Sequence, residues 1–278
     1  MIMVDDQGLF GQAAVAENYR RYLQPYLFDP WAKRLVNFAQ PLAGQTVLDV
    51  AAGTGAVTRA AASAVGSAGR VIASDISRPM LSSLESAVAA DSHAHDAPVE
   101  ILECSATDIE LPDASVDVVF CHQGLPFMPD RVAVAREFYR VLRPGGTVAV
   151  AVWALGERLD PFDGYAKFVR TRLPDSRFAR AMSDGSLSMT TDAVADALLG
   201  GGFVDVVSSL ERLTVQWPTA DEEARGMAGT PFGPEIASLD SAAQAAFLSE
   251  LTTMLADENG DAVPHVMTSV FGRGMVPA

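Results

Sequence analysis

The chain has 278 residues, which is enough to bury a sizeable core within one α/β domain that carries insertions. Its 20 Lys and Arg residues stand against 35 Asp and Glu residues, and the resulting net charge of −15 repels nucleic-acid phosphates and anionic lipid headgroups. A hydrophobic share of 49 % is too high for a disordered chain. We therefore expect a globular protein with neither nucleic acid nor membrane as a partner.

Cysteine and histidine usage indicates neither disulfides nor a metal. The two cysteines, Cys104 and Cys121, cannot form a disulfide framework, and the polar stretch with His93 and His95 has no further ligand types close by. No apolar run reaches the roughly 18 residues of a membrane span, and the first residues lack the positive charge of a secretory signal. These features predict a cytoplasmic protein with no metal site.

The first 44 residues predict a helical cap. Aromatic and apolar residues recur at steps of four, three and four residues on one helix face, namely Val15, Tyr19, Tyr22 and Tyr26. Pro25 should interrupt this helix near its end, and a second helix is predicted from Trp31 to Gln40.

Strands and helices then alternate between residues 45 and 153, which predicts a mostly parallel sheet with helices on both faces. The predicted strands are Thr46–Ala51, Val71–Ser74, Val99–Leu102, Val116–Phe120 and Thr147–Trp153. Helices are predicted at Pro79–Ala90 and Asp130–Leu142, the second ending at a tight turn over residues 143–146.

Beyond Trp153 the alternation breaks, and two insertions with apolar faces at helical spacing are predicted at residues 154–190 and 218–258. Between and after them we expect a helix at Thr191–Leu199, a long strand at Val204–Trp217 and a last strand at Pro264–Phe271. No linker indicates a second domain, so residues 1–278 are expected to form one domain with a substrate lid in each insertion.

The most informative stretch is Val47–Gly55, where a strand that contains Asp49 runs into a glycine turn and then a helix. A dinucleotide-binding turn would carry a third glycine, which is absent, and a pyrophosphate would sit poorly beside Asp49. A ligand with an ammonium group would sit well there. Asp75, at the end of the next strand, can accept hydrogen bonds from ribose hydroxyls, so ribose plus ammonium suggests S-adenosylmethionine.

Four segments carry a resemblance to a known family, and they occur along the chain in that family's order: Val47–Gly55, Val71–Met80, Glu103–Phe120 and Val141–Val150. With them, the chain resembles the class I S-adenosylmethionine-dependent methyltransferases, in the branch with ubiquinone, menaquinone and natural-product methyltransferases. The resemblance implies a Rossmann-like α/β fold, with a seven-stranded, mostly parallel sheet, a final antiparallel strand and helical lids. It also implies S-adenosylmethionine as cofactor, S-adenosylhomocysteine as product and a small-molecule substrate, in a monomer or homodimer.

Carried over by position, the resemblance places the methionine moiety at Asp49 and the Gly53 to Gly55 turn, the ribose at Asp75 and the adenine at Ile76 and Ala106. The family usually has an acid that accepts from the adenine amino group; here Ser105 stands in its place, and Asp108 is an alternative acceptor. The remaining cofactor contacts implied are Ala51, Met80, Cys121 and Tyr22.

The reaction itself stays open at this stage. His122 is the candidate general base because a free imidazole titrates near neutral pH, but it could equally pack against the cofactor. Likewise, Tyr165, Phe168, Phe178 and Met182 could form a roof over the substrate or only cover the sheet. We expect O- or C-methylation of a small, largely apolar metabolite, with cyclisation of a natural-product precursor as the alternative.

Overall fold

The computed structural model describes residues 11–91, 96–227, 230 and 233–278, so His93 and His95 lie outside the described residues. One sheet organises the fold, and its strand order is β3-β2-β1-β4-β5-β8-β7. The bounds of these strands are β1 Thr46–Val50, β2 Arg70–Asp75, β3 Val99–Glu103, β4 Val116–His122, β5 Leu142–Ala154, β7 Val204–Val215 and β8 His265–Met275. Neighbouring strands from β3 to β5 run parallel, whereas β8 is antiparallel to both β5 and β7.

The predicted α/β fold is therefore confirmed, with a short addition that the sequence analysis missed. Ser188–Met189 forms an eighth strand, β6, which pairs in parallel with Trp153 and Ala154 of β5. These two residues lie within the first predicted insertion, where no strand is expected, because two residues are too few to show a strand pattern.

Helices cover both faces of the sheet. The helices up to β5 are α1 Ala13–Asn18, a π-helix at Tyr19–Phe28, α2 Asp29–Ala39, α3 Ala56–Val65, α4 Arg78–Asp91 and α5 Arg131–Val141. After β5 come α6 Phe162–Arg172, α7 Arg177–Asp184, α8 Thr191–Gly201, α9 Ala220–Gly226, α10 Gly233–Ala237 and α11 Ser241–Leu255. None of the helices in the described part of the chain is both long and apolar enough to cross a membrane.

The alternation of strand side chains divides the core in two. Val47, Val71 and Val118 point to one face, where they pack with α2, α3 and the helices of the two insertions. Their neighbours Leu48 and Val119 point to the other face, where α5 and α8 cover them. Both faces are closed, which leaves the strand ends as the place for a site.

The prediction that Pro25 interrupts the first helix is wrong, because the chain stays helical from Ala13 to Ala39. Proline lacks an N–H and its ring clashes with the carbonyl of residue i−4 in an α-helix. Here Pro25 lies inside the π-helix, whose wider turn accommodates it, and Gln40 ends α2 in the left-handed conformation at φ 54°.

The predicted turn between the fifth helix and its strand is also different. Helix α5 ends at Val141, and β5 begins at once with Leu142, so residues 143–146 belong to the strand. Residues 143–146 lengthen the start of β5, and the pairing of β5 with β4 is irregular between Val116 and Val118. Within this stretch, Gly145 has a positive φ of 76°.

Candidate functional site

A cavity of about 480 Å³ opens at the carboxyl ends of β1, β2 and β4, a volume usual for a small-molecule site. Of the predicted site residues, those that line it are Ala51, Gly53, Asp75, Ile76, Met80, Ser105, Ala106 and His122. The predicted residues that are not among its lining are Tyr22, Asp49, Gly55 and Cys121. The parallel strands thus bring residues from distant parts of the sequence to one sheet edge.

The glycine turn and Asp75 are joined by hydrogen bonds. The Gly53 amide donates to Asp75 Oδ2 at 2.8 Å, and the Ser77 amide donates to Asp75 Oδ1 at 2.8 Å. Burial raises the pKa of Asp75, while these backbone amides act in the opposite direction. These amides hold the carboxylate at the cavity wall, and its remaining acceptor capacity suits hydroxyl donors.

Asp49 lies behind the glycine turn, almost fully buried. Its Oδ2 accepts from the Thr58 hydroxyl at 2.6 Å, whereas its Oδ1 has no hydrogen-bond partner among the described residues. Burial raises the pKa of this carboxyl to about 7. A cationic group nearby would favour the charged form of Asp49, so the environment suits a ligand with an ammonium group.

Close backbone approach requires two of the glycines around the cavity. A Cβ at Gly55, where φ is 88°, would lie 2.8 Å from Leu84 Cγ, and a Cβ at Gly124 would lie 2.6 Å from Ala51 Cβ. Gly55 therefore lets the turn pack on α4. Gly124 keeps the ends of β1 and β4 close together.

At the far end of the cavity, Ser105 and Thr107 form a small polar pair. Their hydroxyl oxygens are 2.9 Å apart, and the Thr107 amide donates to Ser105 Oγ at 3.3 Å. Thr107 lines the cavity, whereas Asp108, the alternative acceptor, does not. Ile76, with 45 % of its surface exposed, covers the neighbouring wall.

His122, the last residue of β4, faces an apolar environment. Its ring lies edge-on to Phe28, with ring centroids 5.9 Å apart, and its Nε2 is shielded without a hydrogen-bond partner in the described part of the chain. Burial lowers the pKa of this imidazole to about 3. The ring is therefore neutral at physiological pH, and it is a far weaker base than its sequence position suggests.

The π-helix supplies an apolar wall and a buried polar link to the glycine turn. Tyr19 and Phe28 stack at 4.8 Å and both line the cavity, whereas Tyr22 instead offers its carbonyl to the Trp217 indole at 2.6 Å. Thr54, within the turn, donates to the buried Gln24 side chain of the same helix. The role of Gln24 is not predictable from the sequence, since a polar residue beside an aromatic stripe gives no signal of burial.

The first insertion completes the cavity with Phe162, Met182 and Leu187, and the second contributes Thr230. Of the predicted roof residues, Met182 lines it. Phe168 instead packs against Phe247 at 5.1 Å, Tyr165 is buried with its hydroxyl on Glu223, and nothing is described of the Phe178 side chain. None of the described residues that line the cavity is Lys or Arg.

Comparison with known proteins connects this geometry to a family. Residues 48–150 match the family model described as a methyltransferase domain. The chain is 32 % identical over 204 residues to nocamycin O-methyltransferase of Saccharothrix syringae, which covers 70 % of this chain and 71 % of that enzyme. It is 33 % identical over 120 residues to the ubiquinone/menaquinone biosynthesis C-methyltransferase of Hahella chejuensis, over 43 % of this chain and 47 % of that enzyme.

A solved structure shows the same fold. Phosphoethanolamine N-methyltransferase 2 of Haemonchus contortus, solved with S-adenosylhomocysteine, superposes with a TM-score of 0.59 at 19 % identity. The match covers all of this chain and 58 % of that one. Together with the glycine turn, Asp49 and Asp75, these relationships show that the chain belongs to the class I S-adenosylmethionine-dependent methyltransferases.

Proposed function

We propose that this S-adenosylmethionine-dependent methyltransferase methylates a small, largely apolar metabolite at oxygen or at an activated carbon, in natural-product biosynthesis. The observation that carries the proposal is one continuous cavity. The cofactor-motif residues Gly53 and Asp75 line it together with the aromatic rings of Phe28, Trp153 and Phe162. The relative from Saccharothrix syringae, named as a nocamycin O-methyltransferase, supports a natural-product substrate.

The residues fit the cofactor in the manner that the resemblance implies. Asp75 would accept from the ribose hydroxyls, and Ile76 and Ala106 would contact the adenine. Asp49, behind the glycine turn, would favour the ammonium group of the methionine moiety. When bound, S-adenosylmethionine supplies a methyl carbon on a positively charged sulfur. The open space beside Gly53, where a Cβ would meet nothing within 4 Å, leaves room for the ligand against the turn.

The chain's own contribution to the reaction is positioning and the exclusion of water. The aromatic walls would favour a cation over their faces, and the apolar insertions would cover the acceptor. Because the pKa of His122 is lowered to about 3, we propose that His122 shapes the pocket and does not act as a general base near neutral pH. The two insertions are proposed to act as the substrate lid.

The test uses the purified protein, S-adenosylmethionine carrying a ¹³C-labelled methyl group, and a panel of apolar phenols and quinols. We expect labelled product and one equivalent of S-adenosylhomocysteine for each methyl transferred. The chemical shift of the labelled methyl separates O-methyl from C-methyl products. Conversion of an acceptor to an unlabelled product without S-adenosylhomocysteine would contradict methyl transfer and favour the cyclase.

A further inference from the structure

Gln123 follows β4 directly and carries a buried polar side chain into the wall of the cavity. Only 9 % of its surface is exposed. Its backbone has φ at 60°, a left-handed conformation that is strained for residues other than glycine. Its backbone N–H donates to the Ala151 carbonyl at 2.7 Å. Such strained backbone is concentrated at functional sites, where the surrounding structure holds it in place.

A two-step hydrogen-bond chain fixes the orientation of the Gln123 amide. Ser269 Oγ donates its one proton to the Val152 carbonyl at 2.7 Å. The same oxygen must therefore accept at its other contact, so the Gln123 NH₂ group donates to it, over 3.2 Å. The side-chain nitrogen of Gln123 therefore makes the contact with Ser269, and Oε1 is the atom of the amide group that does not contact Ser269.

Gln123 Oε1 is buried without a hydrogen-bond partner among the described residues. An unmet buried acceptor is unfavourable, because the oxygen has lost its water and gained nothing in exchange. A ligand that brings a hydrogen-bond donor to this oxygen would remove that penalty. Since no described residue donates to this oxygen, a donor group on a ligand would be its partner.

We propose that Gln123 determines acceptor specificity by accepting, at Oε1, a hydrogen bond from a hydroxyl group of an uncharged, apolar substrate. This inference rests on the proposed function and names the substrate class more closely. A phenolic or enolic hydroxyl suits both variants of that function, since it is either the atom methylated or the substituent that activates a neighbouring carbon. A site built to bond a hydroxyl rejects analogues that lack it. Ser269 is then a positioning residue.

The experiment measures binding of a matched pair of probes to protein saturated with S-adenosylhomocysteine. The probes are 2-naphthol, which has a hydroxyl, and 2-methoxynaphthalene, which has none. We expect the wild-type protein to bind 2-naphthol about tenfold more tightly, the usual effect of one hydrogen bond to a buried group. In Gln123→Met the two dissociation constants should come within about twofold of each other.

Two further variants make the result specific. Gln216→Met makes the same change at an exposed glutamine outside the cavity and should keep the wild-type preference. Ser269→Ala keeps Gln123 but releases its amide, so the preference should fall there too, which decides the matter if Gln123→Met does not fold. An unchanged preference in the cavity variants, or equal binding of both probes to the wild type, would overturn the inference. Failure of the wild type to bind S-adenosylhomocysteine would instead overturn the proposed function.

Discussion

At the scale of single residues, burial decides which side chains of the site titrate near neutral pH. Asp49 and His122 would titrate near pH 4 and 6.5 in water. In the protein, burial raises the pKa of Asp49 to about 7 and lowers that of His122 to about 3. The Asp49 carboxyl is therefore the group that titrates near neutral pH, whereas the His122 imidazole stays neutral and lines the cavity.

Asp49 should make cofactor affinity depend on pH. The ammonium group of S-adenosylhomocysteine favours ionised Asp49, and the ionised fraction rises through the pKa of about 7. We expect the association constant to rise about tenfold from pH 6 to pH 8, and to stay nearly flat in Asp49→Asn. Calorimetry at three pH values measures this, and equal slopes for both proteins would rule out Asp49 as the source.

The same raised pKa has a consequence for the stability of the empty protein. The folded state holds the Asp49 proton up to about pH 7, whereas the unfolded chain releases it near the ordinary value of 3.8. The free energy of unfolding should therefore fall as pH rises between these values. Thermal melting across this window should show a smaller fall in Asp49→Asn than in the wild type.

His122 should not impose a pH dependence on turnover. With its pKa lowered to about 3, the imidazole stays neutral from pH 5.5 to 8. At saturating cofactor and acceptor, we expect the turnover rates of wild type and His122→Asn to stay in a constant ratio across this range. If the ratio instead changes with a midpoint near pH 6.5, His122 is the general base after all.

At the scale of elements, a buried polar cluster ties both insertions to the sheet. The Tyr165 hydroxyl of α6 donates to Glu223 Oε1 of α9 at 2.6 Å, and His265 Nε2 of β8 lies 2.8 Å from the same oxygen. Glu223 is fully buried. The cluster therefore fixes the two insertions relative to each other beside the cavity.

Removing one bond of this cluster should loosen the insertions. We expect Tyr165→Phe to lower the free energy of unfolding by about 1 to 3 kcal/mol, the usual cost of leaving a buried acceptor without its donor. Tyr139→Phe is the control, since Tyr139 is half-buried and packs on Phe203 outside the cavity. Chemical denaturation compares the two variants. Equal effects would show that the Tyr165 hydroxyl contributes nothing specific.

Several elements could be predicted from the sequence, and others could not. The alternation from Thr46 to Trp153 predicted strands β1 to β5, because their apolar runs are bounded by turn residues. The π-helix around Pro25 was not predictable, since local rules place a break at proline and only packing reveals the wider turn. Strand β6 was not predictable either, because its two residues are recognised as a strand only by their pairing with β5.

The site was predictable in the same uneven way. Gly53 and Asp75 carry a recognisable spacing and do line the cavity. Tyr22, a cofactor contact that the resemblance implies, is not among the residues that line the cavity. Gln24, Gln123 and Ser269 gave no signal, because their roles arise from contacts between residues far apart in sequence.

At the scale of the whole molecule, the residues of the cofactor motif and the apolar walls of the cavity come from different parts of the chain. The ends of β1 and β2 hold the cofactor-motif residues, while the π-helix and the first insertion supply apolar walls. The net charge of −15 and the absence of Lys and Arg from the described lining also disfavour anionic acceptors. Cofactor binding should therefore respond to changes at the strand ends and not to changes in surface charge elsewhere.

Calorimetry with S-adenosylhomocysteine tests this central claim most directly, using the wild type, Asp75→Ala and the control Asp113→Ala, whose carboxylate is largely exposed away from the cavity. We expect Asp75→Ala to weaken binding by about 1.5 to 3 kcal/mol, since it removes a charged acceptor at the cavity wall, and Asp113→Ala to bind as the wild type does. Wild-type protein that does not bind S-adenosylhomocysteine, or a folded Asp75→Ala variant with an unchanged dissociation constant, would contradict the account.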